Sequence, residues 1–110
     1  QENPTPNNTR SYIDETIQAL SRIDLSMMDN PVQYADALIL LGQAYEAKAF
    51  ELKKQGEIEL FKRYLKNAQN TYAQVQTTNL QNKINEATTM WNEVEIVLKQ
   101  QNQLDVASSS

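Results

Sequence analysis

The residues that decide the fold form the segment 31–56, PVQYADALILLGQAYEAKAFELKKQG. The preceding Asn30 can cap a helix, and Pro31 suits the first helical position because its missing N–H would have no intrahelical partner there. Gly56 follows shortly after two lysines and can adopt the left-handed conformation that commonly ends a helix. We therefore predict a long helix from residue 31 to about residue 55, followed by a reversal of the chain.

The apolar residues of this helix spread over more than one of its faces. A main stripe repeats at steps of three and four residues, which places its members on one side of a helix. The consecutive aliphatic residues 38–41 cannot all join that side. The helix is therefore expected to contact two neighbours, and Gly42 and Ala49 would let a facing helix approach closely. The main stripe is Tyr34, Leu38, Leu41, Tyr45 and Leu52, and it is broadened by Ile39, Leu40, Ala44, Ala47 and Phe50.

Three further amphipathic stretches are predicted to be helices. The first covers residues 11–28 with Ser11 as its cap, the third covers 58–75, and the fourth follows 78–81, whose Thr-x-x-Gln spacing fits a capping box. Short connections force consecutive helices of roughly 18 to 25 residues to run antiparallel. We predict an all-α fold in which four antiparallel amphipathic helices form two helical hairpins. The stripes are Ile13, Ile17, Leu20, Ile23 and Met27 in the first helix, Ile58, Phe61, Leu65, Ala68, Tyr72 and Val75 in the third, and Leu80, Ile84, Ala87, Trp91, Val94 and Leu98 in the fourth.

The two ends of the chain are predicted to lie outside the helical domain. Two prolines and three asparagines occur among the first nine residues, and the chain ends in three serines. We predict a flexible leader over 1–10, a helical domain over 11–104 and a flexible tail over 105–110. Because the chain opens with Gln1, we expect either an extracytoplasmic protein after removal of a signal segment or an excised soluble domain.

The composition argues against several classes of function. A net charge of −4 does not suit a general binder of nucleic-acid phosphates, which needs a basic contact face. No run of about 18 apolar residues occurs, so no membrane span is expected. The chain has no His, no Cys and only 2 Gly, which removes imidazole bases, thiol nucleophiles and phosphate-cradling loops. We predict no catalytic residue, no cofactor and no metal site, and a protein that is not an enzyme.

The segment 38–45, LILLGQAY, resembles the first-helix signature of the tetratricopeptide repeat, W-x2-L-G-x2-Y, with leucine where the family often has tryptophan. Ala68, Tyr72 and Val75 resemble the A-x3-F-x2-A pattern of the second helix in that repeat. The match covers about one repeat, and the interval from Gly42 to Ala68 is longer than in the family by about fourteen residues, or about two turns in each helix. The resemblance implies a helical-repeat architecture, and an unrelated four-helix bundle is the alternative.

The resemblance also implies a way of binding partners. In tetratricopeptide proteins the first helices of the repeats line an inner groove that holds a peptide or a helix of another protein. The corresponding residues here are Asp36, Ile39, Gln43 and Glu46. None of them is basic, so we do not expect the clamp by which some family members hold a C-terminal carboxylate. The predicted function is a non-catalytic protein–protein interaction module.

Two other features of the sequence lead to expectations about binding. Lys54, Lys62 and Arg63 belong to a basic interval around the chain reversal. They would either contact an acidic protein surface or anionic headgroups, or form solvated surface whose charge the helix end and nearby glutamates neutralise. Trp91 falls on the fourth apolar stripe, where core packing and an exposed binding anchor are the two alternatives.

The alternative function is a structural or oligomerisation domain of a larger protein. Its basis is the breadth of apolar surface on the second helix, where four helices must cover Ile39, Leu40 and Phe50 together. If they cannot, neighbouring repeats or a second copy of the chain would cover the remainder.

Overall fold

The computed structural model describes residues 5–24 and 29–109, with side chains for 12–24 and 29–108. Within these ranges the chain forms four α-helices and one 3-10 helix, and it contains no strand. The predicted all-α fold is confirmed. The helices are α1 (Thr5–Ser21), α2 (Pro31–Lys54), α3 (Ile58–Gln74), the 3-10 helix (Val75–Thr78) and α4 (Gln81–Ser109).

Both ends of α2 form as the sequence predicts. The side chain of Asn30 accepts a hydrogen bond from the backbone N–H of Val32 at 2.8 Å, and Pro31 is the first helical residue. Gly56 has a φ of 83° and lies in the left-handed region, where a side chain would be strained. The backbone N–H of Gly56 donates to the carbonyl of Lys53 at 3.0 Å, which closes the helix end.

The predicted bounds of the first helix were wrong at both ends. α1 begins at Thr5, so Ser11 lies inside the helix and does not cap it, because Pro6 is tolerated in a first turn. α1 ends at Ser21, where the N–H of Ile23 donates to the carbonyl of Leu20 and tightens the last turn. Apolar spacing continues through Ile23 although the helix does not, and the predicted stripe residue Met27 lies outside the described residues.

The predicted domain limits differ from the helix ends. Helix α1 starts within the predicted leader 1–10, and α4 continues through most of the predicted tail 105–110 to Ser109. The limits of the domain, and the flexibility of its ends, stay predictions.

The predicted capping box before α4 does not form. The hydroxyl of Thr78 donates to the carbonyl of Val75 at 2.7 Å and accepts from the N–H of Leu80 at 3.3 Å, rather than from that of Gln81. Asn79 takes a left-handed conformation with a φ of 58°, which turns the chain before a Gln81 cap can align. The chain therefore leaves α3 through a short 3-10 helix, and α3 itself ends one residue earlier than the predicted Val75.

Helix α3 runs antiparallel to both α2 and α4, as predicted for consecutive helices. The ring of Phe50 lies 5.5 Å from that of Phe61, whereas Tyr45, earlier in α2, meets Tyr64, later in α3. Along α4, Lys62 pairs with Asp105, and Gln69 bonds to Glu95. The core lies among these three helices, and its fully buried side chains include Phe61, Leu65, Tyr72, Val75 and Val94.

Helices α2 and α4 lie side by side and run parallel. Asp36 near the start of α2 pairs with Lys83 near the start of α4 at 2.6 Å. Further along, Glu46 of α2 is near enough to Glu93 of α4 for the two charges to interact. The molecule is correspondingly flat, with extents of 48 × 45 × 17 Å. Its thinnest dimension is that of about two packed helices, so broad faces of α2 and α4 stay open.

Gly42 makes room for an aromatic ring on α3. A Cβ placed at this position would lie 2.2 Å from Cε1 of Tyr72, well inside van der Waals contact. The close approach expected at Gly42 is therefore made by a side chain of α3.

Candidate partner-binding site

Most of the predicted groove residues on α2 are engaged within the molecule. Asp36 forms an ion pair with Lys83, although half of its side chain is exposed. Ile39 is only 5% exposed and belongs to the core, so it cannot contact a partner. Gln43 is exposed. The predicted groove is therefore partly closed by α4.

Glu46, the fourth predicted groove residue, links α2 to α3. Its carboxylate accepts a short hydrogen bond from the hydroxyl of Tyr72, whose side chain is almost fully buried. Burial raises the pKa of Glu46, the bond from Tyr72 lowers it, and the charge of Glu93 raises it further. Burial and the bond to Glu46 raise the pKa of the Tyr72 hydroxyl, so it stays a donor. Glu46 is thus a structural acceptor rather than an open contact.

Replacing Glu46 with glutamine tests this arrangement. Because the folded pKa of Glu46 lies above its ordinary value, protonation favours the folded state, and the stability contributed at this site rises as the pH falls through that pKa. Glutamine keeps an oxygen that can accept from Tyr72 but carries no charge. We expect E46Q to be at least as stable as the wild type at about pH 7.5, with the difference shrinking toward about pH 4 in thermal unfolding.

The control for this prediction is the exposed Glu86 of α4, where E86Q removes a charge without touching Tyr72. E46Q being clearly less stable than the wild type at neutral pH would contradict the role given to burial. A difference in unfolding stability between E46Q and the wild type that grows as the pH falls would also contradict it.

The basic interval does not form one open positive surface. Lys48 is buried and lies 3.1 Å from Asp14 of α1, and the amine of Lys53 lies over the ring of Phe61. Lys62, a predicted contact, pairs with Asp105 of α4 at 2.7 Å and with Glu59 of α3 at 3.2 Å.

The other two predicted basic contacts are exposed. Arg63 lines a shallow cleft of about 340 Å³ together with Lys62, Lys66 and the carboxylate of Glu59. Lys54 is exposed at the end of α2 and does not line that cleft. Carboxylates interleaved with these cations reduce the positive potential that an anionic partner would meet.

A cleft of about 390 Å³ lies between the end of α3 and the first half of α4. We name it the Trp91 cleft, because the half-buried indole of Trp91 forms part of its wall. The side chain of Trp91 packs against the core but is only partly buried, so the alternative of core packing is met in part and the role of binding anchor stays a prediction. The lining residues are Tyr72, Ala73, Gln76, Ile84, Ala87, Thr88, Trp91 and Asn92.

The Trp91 cleft is uncharged and largely apolar. Its walls carry aromatic and aliphatic side chains, and its polar groups are the neutral side chains of Gln76, Thr88 and Asn92. Pockets of roughly 300 to 1,000 Å³ with this composition are typical binding sites. Sequence reasoning did not find the cleft, because it depends on the angle between two helices; the only signal in the sequence was the tryptophan on the fourth stripe.

Compared with known protein families, with curated proteins and with solved structures, the chain shows no significant match. Among the described residues, no cluster of acidic side chains is placed to bind a metal ion. None of the helices in that part of the chain is both long and apolar enough to cross a membrane.

Proposed function

We propose that this chain is a non-catalytic protein–protein interaction module of helical-repeat type, and that its Trp91 cleft receives an apolar side chain from a helix or peptide of a partner. The observation that carries the proposal is an uncharged cleft of about 390 Å³ with a half-buried tryptophan in its wall. Tryptophan and tyrosine are enriched among the residues that dominate binding energy at protein interfaces.

The chemistry of the cleft supports an uncharged anchor on the partner. A charged side chain entering the space beside Trp91, Ile84 and Ala87 would lose its hydration without gaining an ionic partner. A large apolar side chain would instead remove apolar surface from water on both molecules, at about 25 cal/mol per Å². The amides of Gln76 and Asn92 at the cleft can bond to the backbone of a bound peptide.

The geometry of the helices supports the same proposal. Helices α3 and α4 run antiparallel along the two sides of the cleft, and the space between two such helices accepts the ridge of a third. The parallel α2 and α4, with α3 antiparallel to both, are arranged as the first, second and next first helix of a repeat array would be. This order supports the tetratricopeptide-like reading.

A selection from a displayed library of random peptides tests the proposal. The selected peptides are then tested for binding to a variant whose cleft is filled. T88F places a ring in the cleft, whereas the matched control T89F places the same ring on the exposed neighbouring residue. We expect enriched peptides that share one large apolar residue, shift the emission of the single tryptophan, and bind T88F at least tenfold more weakly than T89F. Peptides that bind both variants equally, or no enrichment at all, would contradict the proposal.

A structural or oligomerisation role is the second candidate function, and one observation favours it. Leu40 is 50% exposed and Phe50 is 39% exposed on α2, so four helices do not cover these side chains. Exposed apolar surface of this kind marks an interaction site.

A further inference from the structure

One exposed stripe runs along α2. Its members follow one another at alternating steps of four and three residues, so they share one face of the helix. All of them are exposed, and the stripe shares no residue with the Trp91 cleft. We name this set the α2 stripe; it consists of Asp36, Leu40, Gln43, Ala47, Phe50 and Lys54.

The α2 stripe is complementary to a second copy of itself that runs in the opposite direction. It begins with an acidic residue and ends with a basic one, and a large apolar residue lies just inside each end. If two copies of α2 pack antiparallel with Leu40 against Phe50 of the second copy, the same register brings Asp36 to the second copy's Lys54. Around the resulting two-fold axis each of these contacts occurs twice.

We propose that a second copy of this chain docks antiparallel on the α2 stripe and forms an isologous dimer. Asp36 already pairs with Lys83 of its own chain, but its side chain is 56% exposed and can also accept from the second copy's Lys54. The charges favour the antiparallel orientation, because a parallel pair would place Lys54 beside Lys54 and would make no Asp36–Lys54 contact. The middle of the stripe, Gln43 and Ala47, has small or flexible side chains that let the two helices approach. The dimer accounts for the exposure of Leu40 and Phe50 in the single chain.

The dimer is expected to be weak. A contact made by one face of one helix buries less than the roughly 800 Å² per partner of a standard interface. The spacing of the stripe, with a mean step near 3.5 residues, is that of helices crossing at about 20° in a left-handed sense. We expect self-association that depends on concentration between about 1 μM and about 1 mM.

Charge reversal tests the pairing by sedimentation equilibrium of the full chain. K54D alone and D36K alone should each weaken the dimer at least tenfold, because each places like charges together twice. An equimolar mixture of the two variants should regain dimers, since each then offers the charge that the other requires. K66D, which reverses an exposed lysine on α3 outside the stripe, should leave association unchanged.

A second pair of variants tests the apolar contact. L40D should abolish the dimer. At concentrations where the wild type is monomeric, L40D should lower the unfolding midpoint no more than I96D does, because Leu40 and Ile96 are exposed to a similar degree in the monomer. I96D, at an exposed isoleucine of α4, is the matched control and should still dimerise.

Cysteine cross-linking fixes the orientation, since the chain has no cysteine of its own. A mixture of D36C and K54C should form a disulfide under mild oxidation, whereas K54C alone should not. A wild type that stays monomeric up to about 1 mM would overturn the proposal. So would a dimer unaffected by both K54D and L40D, or a mixture of charge variants that fails to associate. None of these outcomes bears on binding at the Trp91 cleft.

Discussion

Replacing Gly42 with alanine is expected to destabilise the folded protein by about 3 kcal/mol, because the new methyl group meets the ring of Tyr72. The position of that methyl is 2.2 Å from Cε1 and 2.6 Å from Cζ of the ring. The ring is 1% exposed and its hydroxyl is bonded to Glu46, so it cannot move aside freely. Thermal unfolding should show a midpoint lower by roughly 15 °C.

Glycine-to-alanine changes inside a helix otherwise stabilise it by about 1 kcal/mol, so the expected sign is the reverse of that given by helix propensity. The Tyr72→Ala background supplies the control. Once the ring is absent, G42A should be neutral or stabilising, although Y72A itself lowers stability. If G42A raised the unfolding midpoint of the wild type, the close packing of α2 on α3 at Gly42 would be incorrect.

Replacing Phe61 with alanine is expected to destabilise the folded protein by about 4 kcal/mol. Phe61 is completely buried at the start of α3, with the ring of Phe50 on one side and the amine of Lys53 5.3 Å from its centroid. The cavity left by alanine would be bounded by two helices that cannot both collapse into it. Chemical denaturation should show a lower midpoint with little change in slope.

Phe50 provides the matched comparison, because the same substitution there removes a ring that is already 39% exposed. We expect F50A to cost about 1 kcal/mol, and F61L, which keeps most of the buried volume, about the same. Equal losses for F61A and F50A would show that the core does not centre on Phe61. If F61A is too unstable to purify, F61L and F50L make the same smaller change at both positions, and the larger loss of stability is expected for F61L.

Local signals made α2 predictable, whereas the end of α1 and the connection from α3 to α4 were predicted less well. Asn30, Pro31 and Gly56 act through bonds within a few residues, so their effect can be read from the chain. The end of α1 was missed because apolar spacing continues beyond it. The capping box was missed because Asn79 can take a left-handed conformation that competes with it.

The burial and exposure of the candidate site residues depend on contacts between residues far apart in the sequence, so they could not be predicted from local patterns. The burial of Lys48 could not be predicted from the sequence, because it depends on α1 bringing Asp14 next to Lys48. Ile39 has the spacing of a groove residue, but the packing of the other helices against α2 decides its burial. The partial burial of Trp91 depends on how α3 and α4 pack against each other, which neither helix encodes alone. Exposure of the α2 stripe is likewise known only once the other helices are placed.

The central claim, that the Trp91 cleft receives a partner's apolar side chain, is tested most directly by a nuclear magnetic resonance titration with a selected peptide. The single indole N–H signal belongs to Trp91, and the side-chain amides of Gln76 and Asn92 report on the same cleft. We predict that these three signals shift together and saturably, while the amide of Gln43 on the α2 stripe does not. Shifts at Gln43 with none at Trp91 would contradict the claim.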